Sequence, residues 1–74
     1  MHVEVKLFAT LRKPDVRQGQ IRLTDGATVG DLLQRIEIPP ADAAIVLVNG
    51  KHAQVERQLQ DGDVIALFPP IAGG

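Results

Sequence analysis

The last six residues carry the pattern with the clearest chemical potential. The sequence closes on Gly73-Gly74, shortly after Pro69-Pro70. Because glycine has no side chain and few steric restrictions, such an end can enter a narrow channel and present its carboxylate to a reagent such as ATP. The prolines fix their own φ angles and favour extended conformations in the residues before them. We therefore expect residues 69–74 to form an extended, flexible tail that reaches at most about 20 Å into a partner's active site. A frayed end without function is the alternative.

The composition limits what other chemistry the chain can perform. The 74 residues are 45% hydrophobic, and a chain near this size buries about 60% of its unfolded surface. This predicts one domain, residues 1–68, ahead of the tail. The chain has no cysteine, which excludes disulfides, thiolate metal ligands and cysteine nucleophiles. Any sulfur that the chain carries covalently would have to sit elsewhere.

Charge and hydropathy argue against nucleic-acid and membrane partners. The net charge is -1 and the aromatic residues are Phe8 and Phe68, so a basic surface with stacking platforms is not expected. No apolar run approaches the roughly 18 residues that span a membrane, and residues 1–13 lack the apolar segment of a signal peptide. We therefore expect a cytoplasmic protein. From Thr24 onward seven acidic residues face three basic ones, which favours a partner with a basic rim around the tail.

The first part of the sequence predicts a hairpin. Residues 2–10 alternate in character, which is typical of a half-buried strand. Residues 11–19 contain Pro14-Asp15 and Gly19 and indicate a loop, and residues 20–24 indicate a second strand. The alternation predicts a core face formed by Val3, Val5, Leu7 and Ala9, with Phe8 on the opposite face.

A short amphipathic helix follows the hairpin. Thr28 and Asp31 have the spacing of a capping box, in which each side chain accepts a backbone N–H from the other residue. Pro39-Pro40 prevents the helix from continuing. Between these signals one apolar stripe is formed by Val29, Leu32, Leu33 and Ile36. The spacing predicts a helix of two to three turns that lies on a sheet.

Turn signals divide the remaining residues into strands. Residues 43–48 form a short apolar run, and Asn49-Gly50 favours a type I′ turn into a small strand over residues 51–54. Residues 55–60 indicate irregular structure or one helical turn. Asp61-Gly62 turns the chain into the last strand, residues 63–68.

This order of elements predicts an α+β fold of the β-grasp, or ubiquitin-like, type. Two hairpins flank one helix, and the favoured right-handed crossover places the first and last strands parallel and adjacent in the centre of the sheet. The result is a mixed sheet of four to five strands with one main helix packed on one face. The other face remains open to solvent or to a partner.

The open face is a candidate partner surface next to the tail. In the last strand Ile65 and Leu67 point toward the helix, so Val64, Ala66 and Phe68 point away from it. The phase of the third strand is open, so Leu47 belongs to either face. Two phenylalanines and the base of the tail converge there, which favours an interface formed by Phe8, Ala66, Phe68, Pro69, Pro70 and Ile71. A peripheral apolar cluster under a loop is the alternative.

Three other groups of residues have weaker chemical signals. His2 and His52 lack the spacing of a metal site, and we expect surface positions for both. Glu56, Asp61 and Asp63 resemble an acid-base group, but Asp61-Gly62-Asp63 is better explained as a turn. A basic loop, which is either solvated or in contact with a partner, contains Arg12, Lys13 and Arg17.

The closing residues also resemble a known family. Residues 61–74 are similar to the "DGDEV-x-FFPPV-x-GG" ending of MoaD-type sulfur carriers, the small subunits of molybdopterin synthase. Phe8-Ala9-Thr10-Leu11-Arg12 resembles their first strand, and Val48-Asn49-Gly50 resembles the "VN" hairpin shared with ThiS, the thiazole sulfur carrier. Pro69-Pro70 favours MoaD over ThiS, whose members usually lack that pair.

The resemblance implies a chemistry that fits the sequence. A partner similar to MoeB or ThiF would adenylate the Gly74 carboxylate next to Gly73, and a sulfur donor would displace AMP to leave a thiocarboxylate. A MoaE-like large subunit would use that sulfur to make molybdopterin. The chain would bind no cofactor or metal itself. Since it lacks a Gly-x-x-x-x-Gly-Lys-Ser/Thr phosphate loop, the partner would bind the ATP, and the chain would be a carrier or small subunit without a complete active site.

Three functional classes remain open at this stage. A sulfur carrier, for molybdopterin, for thiamin or for another pathway, predicts a C-terminal thiocarboxylate. A ubiquitin-like modifier predicts isopeptide bonds to lysines of other proteins. A non-catalytic adaptor predicts that only the open face binds and that Gly73-Gly74 is dispensable.

Overall fold

Five strands form one mixed sheet, with the helix packed across one face. The computed structural model describes residues 1–11 and 19–70. The strands run in the order β2-β1-β5-β3-β4; β1 and β5 are parallel, and the other neighbours are antiparallel. These elements are β1 (His2–Leu7), β2 (Gly19–Arg22), helix α1 (Val29–Arg35), β3 (Ile45–Val48), β4 (Lys51–His52) and β5 (Val64–Phe68). The β-grasp prediction is confirmed, with five strands.

The core lies between α1 and the inner face of the two central strands. Ile65 and Leu67 of β5 are fully buried, as their alternation predicts. The apolar stripe of α1 packs onto the same layer, and Leu32 has no exposed surface. Burying a leucine or isoleucine side chain contributes about 1.5–3 kcal/mol, so this layer supplies most of the stabilisation. The buried residues that form it include Val3, Val5, Leu7, Ile21, Val29, Leu33, Ile36 and Val48.

The free backbone N–H groups at the start of α1 find hydrogen-bond acceptors in the helix cap and in a segment distant in sequence. The capping box is present: Asp31 N–H donates to Thr28 Oγ1 at 3.2 Å, and Thr28 N–H donates to the Asp31 carboxylate at 2.9 Å. Between these two residues, the Val29 N–H donates to the carbonyl of residue 57 and the Gly30 N–H donates to the carbonyl of residue 55, both at 2.9 Å. The first turn of a helix leaves such donors without internal partners, so residues 55–57 are held against α1.

The end of α1 closes in a Schellman motif with an unusual residue. Ile38 N–H donates to Leu33 O at 2.9 Å, and Glu37 N–H donates to Gln34 O at 3.2 Å. The residue between helix and loop, Glu37, has φ +61°. Glycine is the usual residue at this left-handed position, so the sequence gives no direct signal for the motif.

The β3–β4 hairpin has the predicted turn but a shorter second strand. Asn49 and Gly50 both have positive φ, +53° and +82°, as a type I′ turn requires. β4 ends at His52 and does not extend over residues 51–54, because the chain beyond it turns toward α1. Residues 55–60 form no helix, in line with their irregular pattern; Gln58 makes an isolated bridge to Thr28.

The start of β5 is tied to this hairpin by a buried carboxylate. Asp63 is 7% exposed; its carboxylate accepts from Asn49 Nδ2 at 2.9 Å and from the Gln60 N–H at 2.8 Å. Asn49 Oδ1 in turn accepts the Val64 N–H at 2.9 Å. The turn interpretation of Asp61-Gly62-Asp63 is correct, and Gly62 has φ +87°.

In the first hairpin the structure differs from two predictions. β1 ends at Leu7, and residues 9–11 form a 3-10 turn in which Ala9 is exposed with φ +53°; its predicted place on the core face is wrong. Leu11 fills the core position instead. The second strand spans Gly19–Arg22 and not residues 20–24, although Leu23 remains buried. The basic loop residues Arg12, Lys13 and Arg17 lie outside the described residues.

Candidate functional site

The tail begins at the central strand of the sheet. β5 lies between β1 and β3, so it forms hydrogen bonds along both edges. Its last residue, Phe68, is half-buried; Pro69 is also half-buried, and Pro70 is exposed. A strand paired on both sides cannot shift register without breaking both ladders. The tail therefore leaves from a fixed point.

Phe8 packs on Phe68 at this point. The two rings are nearly parallel, at 8°, with centroids 4.5 Å apart. Phe8 N–H donates to Leu67 O at 3.2 Å, and Phe8 O accepts from the Leu11 N–H at 3.1 Å. Ala9, with its positive φ, begins the 3-10 turn directly after Phe8, and the chain leaves the sheet there. The Phe8 ring remains on the open face, against Phe68.

Apolar side chains of β3 extend this surface. Ile45 lies opposite Phe68 and Leu47 lies opposite Ala66 in the antiparallel pairing. Ile45 is 37% exposed and Phe8 is 38% exposed, whereas Val46 and Val48 face the core. We call the surface formed by Phe8, Ile45, Leu47, Ala66 and Phe68 the open-face patch.

The predicted interface is largely brought together. Phe8, Ala66 and Phe68 lie on the open-face patch, and Pro69 and Pro70 follow it directly. The phase of Leu47, open in the sequence, is settled: it faces the patch. Three further predicted site residues, Ile71, Gly73 and Gly74, lie outside the described residues.

Ile45 is the member of the patch that sequence reasoning missed. The run Ile45-Val46-Leu47-Val48 is apolar throughout, so periodicity alone does not separate its faces. The Asn49-Gly50 turn makes Val48 and Lys51 a directly opposed pair whose side chains share a face, but it does not say which face is the core.

A small cavity lies at the base of the tail. It is lined by Pro69 and Pro70, by Thr10 and Leu11 after β1, and by Asp42, with a volume of about 240 Å³. Asp42 is exposed and places a carboxylate beside the outgoing chain.

The other candidate residues have structural or surface roles. His2 and His52 are both exposed, and within residues 1–11 and 19–70 no three His, Asp or Glu side chains group as metal ligands would. Asp61 accepts the His2 N–H at 2.8 Å and Asp63 ties the hairpin to β5. Glu56 is exposed. Asp61 and Asp63 therefore have structural roles, and Glu56 lies on the surface.

An ion pair lies beside the patch on the open face. Lys6 Nζ lies 3.9 Å from Glu4 Oε2, and both side chains are about half exposed. A pair of this kind contributes at most about 1 kcal/mol to stability, so its partners are available to a docking protein. In the described part of the chain no helix is long and apolar enough to cross a membrane.

Comparisons with known proteins agree with this architecture. The ThiS family model matches residues 5–74. Small archaeal modifier protein 3 of Haloferax volcanii is 36% identical over an alignment 93 positions long, which covers 100% of this chain and 100% of that protein.

Two solved structures share the fold. A Pyrococcus furiosus protein assigned as molybdopterin converting factor, subunit 1, is 33% identical with a TM-score of 0.76, over 95% of this chain and 98% of that one. Subunit 1 and 2 of the molybdopterin-converting factor of Helicobacter pylori were solved as a complex; the match there is 24% identical with a TM-score of 0.68, covers both chains fully and shows the fold alone. With its β-grasp sheet and a family match over nearly its whole length, this chain belongs to the ThiS family and is a ubiquitin-like protein similar to small archaeal modifiers and to MoaD-type subunits.

Proposed function

We propose that the chain is a sulfur carrier, activated at the carboxylate of Gly74. The observation that carries the proposal is the placement of the tail base: β5 is held on both edges and delivers Pro69-Pro70 next to the open-face patch. A partner that docks on the patch would find the base of the tail, Pro69-Pro70, at a fixed position. The family match, which runs to residue 74, supports this use of the end.

The chemistry needs an activating partner because a carboxylate is a poor acyl donor. In an adenylating enzyme of the MoeB or ThiF type, an oxygen of the Gly74 carboxylate attacks the α-phosphorus of ATP and pyrophosphate leaves. A persulfide on the sulfur donor then attacks the acyl carbon and AMP leaves, which gives an acyl disulfide. A second thiol, supplied by a partner, attacks the donor's sulfur in that disulfide, so the thiocarboxylate leaves and the two partner thiols end as a disulfide. ATP is bound by the partner, and the chain supplies the acyl group and Gly73, whose lack of a side chain permits a narrow channel.

We further propose molybdopterin as the destination of the sulfur. The Pyrococcus furiosus relative is assigned as subunit 1 of the molybdopterin converting factor, and the Helicobacter pylori protein of the same fold is found in complex with subunit 2. A MoaE-like large subunit is therefore the expected acceptor partner. Transfer to a thiamin precursor, as expected of a ThiS-like carrier, is the alternative destination.

Protein modification is the second candidate function, favoured by one specific observation. The Haloferax volcanii relative, 36% identical over its full length, is a small archaeal modifier protein. The same adenylate would then be attacked by a lysine amine, with AMP as the leaving group and an isopeptide bond as the product. Activation is common to both functions, and the nucleophile distinguishes them.

Intact mass spectrometry tests the proposal directly. The chain is incubated with ATP, a MoeB-like enzyme and a sulfur source, and we expect a mass gain equal to the exchange of one oxygen for one sulfur, located at Gly74 by fragmentation. A variant without Gly74 is the matched control, since loss of a tail residue leaves the fold intact. Thiolation of that variant would contradict the proposal. Lysine conjugates without a thiocarboxylate would favour the modifier function, and an unmodified Gly74 would favour the adaptor.

A further inference from the structure

Asn49 connects the β3–β4 hairpin to β5 through its backbone and through its side chain. Its backbone N–H donates to Val64 O at 2.8 Å. Its side-chain Oδ1 accepts the Val64 N–H at 2.9 Å, and its Nδ2 donates to the buried carboxylate of Asp63, also at 2.9 Å. Both ends of the Asn49 amide group are therefore held by hydrogen bonds to the start of β5.

The residue after Asn49 makes this amide group susceptible to an intramolecular reaction. The backbone nitrogen that follows an asparagine can attack the side-chain carbonyl carbon, and a side chain on the following residue hinders that attack. Gly50 has no side chain to hinder it, and both residues of the turn are exposed to water. Asn49 is the only asparagine in the sequence. The residue pair that the type I′ turn favours is thus also the pair that reacts most readily.

We propose that Asn49 is a site of spontaneous covalent modification that disconnects β5 from the hairpin. The Gly50 nitrogen forms a bond to Asn49 Cγ, the bond between Cγ and Nδ2 breaks, and the displaced NH2 group takes up the Gly50 proton through water and leaves as ammonia. Water then opens the resulting succinimide ring. Cleavage between the nitrogen and Cγ gives aspartate, and cleavage between the nitrogen and the main-chain carbonyl carbon gives isoaspartate.

The folded structure restrains this reaction in two ways. Ring closure expels Nδ2, so the hydrogen bond from Nδ2 to Asp63 has to break. The five-membered ring also contains the Cα–C bond of Asn49, so its closure rotates that bond away from the angle of a type I′ turn. The reaction therefore proceeds through local opening of the hairpin, and its rate follows the population of the opened state.

Neither product restores the link to β5. Aspartate at position 49 places a second carboxylate where Nδ2 lies, 2.9 Å from an oxygen of Asp63, and like charges at this distance repel each other. Isoaspartate routes the main chain through its side-chain carbons, which lengthens a two-residue turn by one atom and disturbs the pairing of Val48 with Lys51. Conversion of Asn49 therefore loosens the start of the strand that leads to the tail. The proposal needs no partner and does not depend on sulfur carriage.

Ageing of the folded chain beside the chain unfolded in guanidinium chloride, at one mildly alkaline pH, tests the proposal. Intact mass reports the exchange of the amide NH2 for OH, and fragmentation locates it. Isomerisation of Asp25 or Asp61, which also precede glycine, leaves the mass unchanged. We expect amide loss at Asn49 in both samples, about 10- to 150-fold slower in the folded chain, as a hydrogen bond to a charged group predicts.

Three outcomes of the ageing assay would overturn the proposal. Equal rates in the two samples would mean that the fold does not restrain the reaction. A folded chain whose amide outlasts this range would mean that Asn49 is not modified in the native protein. Amide loss at a glutamine before Asn49 would place the reaction elsewhere.

Asp63→Ala tests which contact restrains the amide. The variant removes the acceptor of Nδ2, so we expect faster amide loss in the folded chain and an unchanged rate in the unfolded chain. Leu7→Ala is the matched control, because Leu7 is buried at the end of β1 next to the tail base and does not contact the Asn49 amide. Equal acceleration by the two variants would assign the protection to global stability and overturn the role of Asp63.

A reciprocal exchange tests the consequence for β5 and does not depend on the truncated variants folding. Asn49→Asp alone reproduces the aspartate product and should lower the urea midpoint. When it is combined with Asp63→Asn, the new amide can donate to the new carboxylate and still accept the Gln60 N–H, so each hydrogen bond of the link has a partner again. We expect the double variant to recover most of the lost stability. An unchanged midpoint for Asn49→Asp, or no recovery in the double variant, would overturn the claim that conversion disconnects β5.

Discussion

The ring of Phe8 lies flat against the ring of Phe68, with centroids 4.5 Å apart and planes at 8°. This contact joins the end of β1 to the last residue of β5. It therefore links two parallel strands at the end of the sheet from which the tail emerges.

We expect this ring contact to stabilise the fold through a measurable coupling. Phe8→Leu and Phe68→Leu keep apolar bulk but remove the stack, and the aromatic pair should contribute about 0.5–1.5 kcal/mol beyond area burial. Urea denaturation of the two single variants and the double variant gives the coupling. Strict additivity of the two losses would show that the stack contributes nothing of its own.

Phe8→Glu should weaken the complex with the adenylating enzyme without unfolding the chain. The ring is 38% exposed, so the substitution places a charge at the centre of the proposed interface, where a loss of about 2 kcal/mol is typical. Val55→Glu is the matched control, because Val55 has the same exposed fraction and lies on the side facing α1. Calorimetric titration compares them. Equal affinities for the two variants would remove the open-face patch from that interface.

Asp63→Ala should destabilise the domain much more than Asp61→Ala. Asp63 is buried, and its carboxylate accepts two hydrogen bonds whose donors would lose their partner; bonds to charged groups contribute about 1.5–3 kcal/mol each. Asp61 is exposed and accepts one bond, and we expect a loss below about 1.5 kcal/mol. Similar urea midpoints for both variants would mean that the link between Asn49 and β5 is unimportant.

Glu37→Gly should make the protein more stable. Glu37 has φ +61°, a conformation that costs an ordinary residue roughly 1–2 kcal/mol. Glycine removes this cost from the folded state, and part of the gain in stability is offset by the extra conformational freedom of glycine in the unfolded chain. Thermal unfolding should therefore show a modest increase in Tm.

Gly62→Ala is the reciprocal control for this prediction. Gly62 has φ +87° with open space around the position of a Cβ, so its loss of stability would report backbone strain alone. A decrease in Tm for Glu37→Gly would show that the Glu37 side chain has a stabilising contact worth more than the strain.

The elements that the sequence predicts well are those with a local cause. The helix follows from Thr28 and Asp31 and from its apolar stripe, and the hairpin turn follows from Asn49-Gly50. The central parallel pair follows from the handedness of the crossover. All three are observed, and they suffice for the β-grasp fold and for bringing Phe8 and Phe68 together.

The features that escaped prediction depend on distant contacts. β4 stops at His52 because residues 55 and 57 cap α1, which no property of residues 51–54 reveals. Ala9 leaves the strand although its alternation fits, because Leu11 takes the core position after a 3-10 turn. The position of Ile45 required the register of β3 against β5, and a continuous apolar run does not encode that register.

The parallel arrangement of β1 and β5 gives the domain a mechanical polarity. A force applied to the tail and resisted at the amino terminus would slide β5 along β1, so that the hydrogen bonds of the pair share the load and do not open one after another. An unfolding machine that grips the tail would therefore meet high resistance at its first step. A partner that only threads the tail and releases it would leave the domain folded.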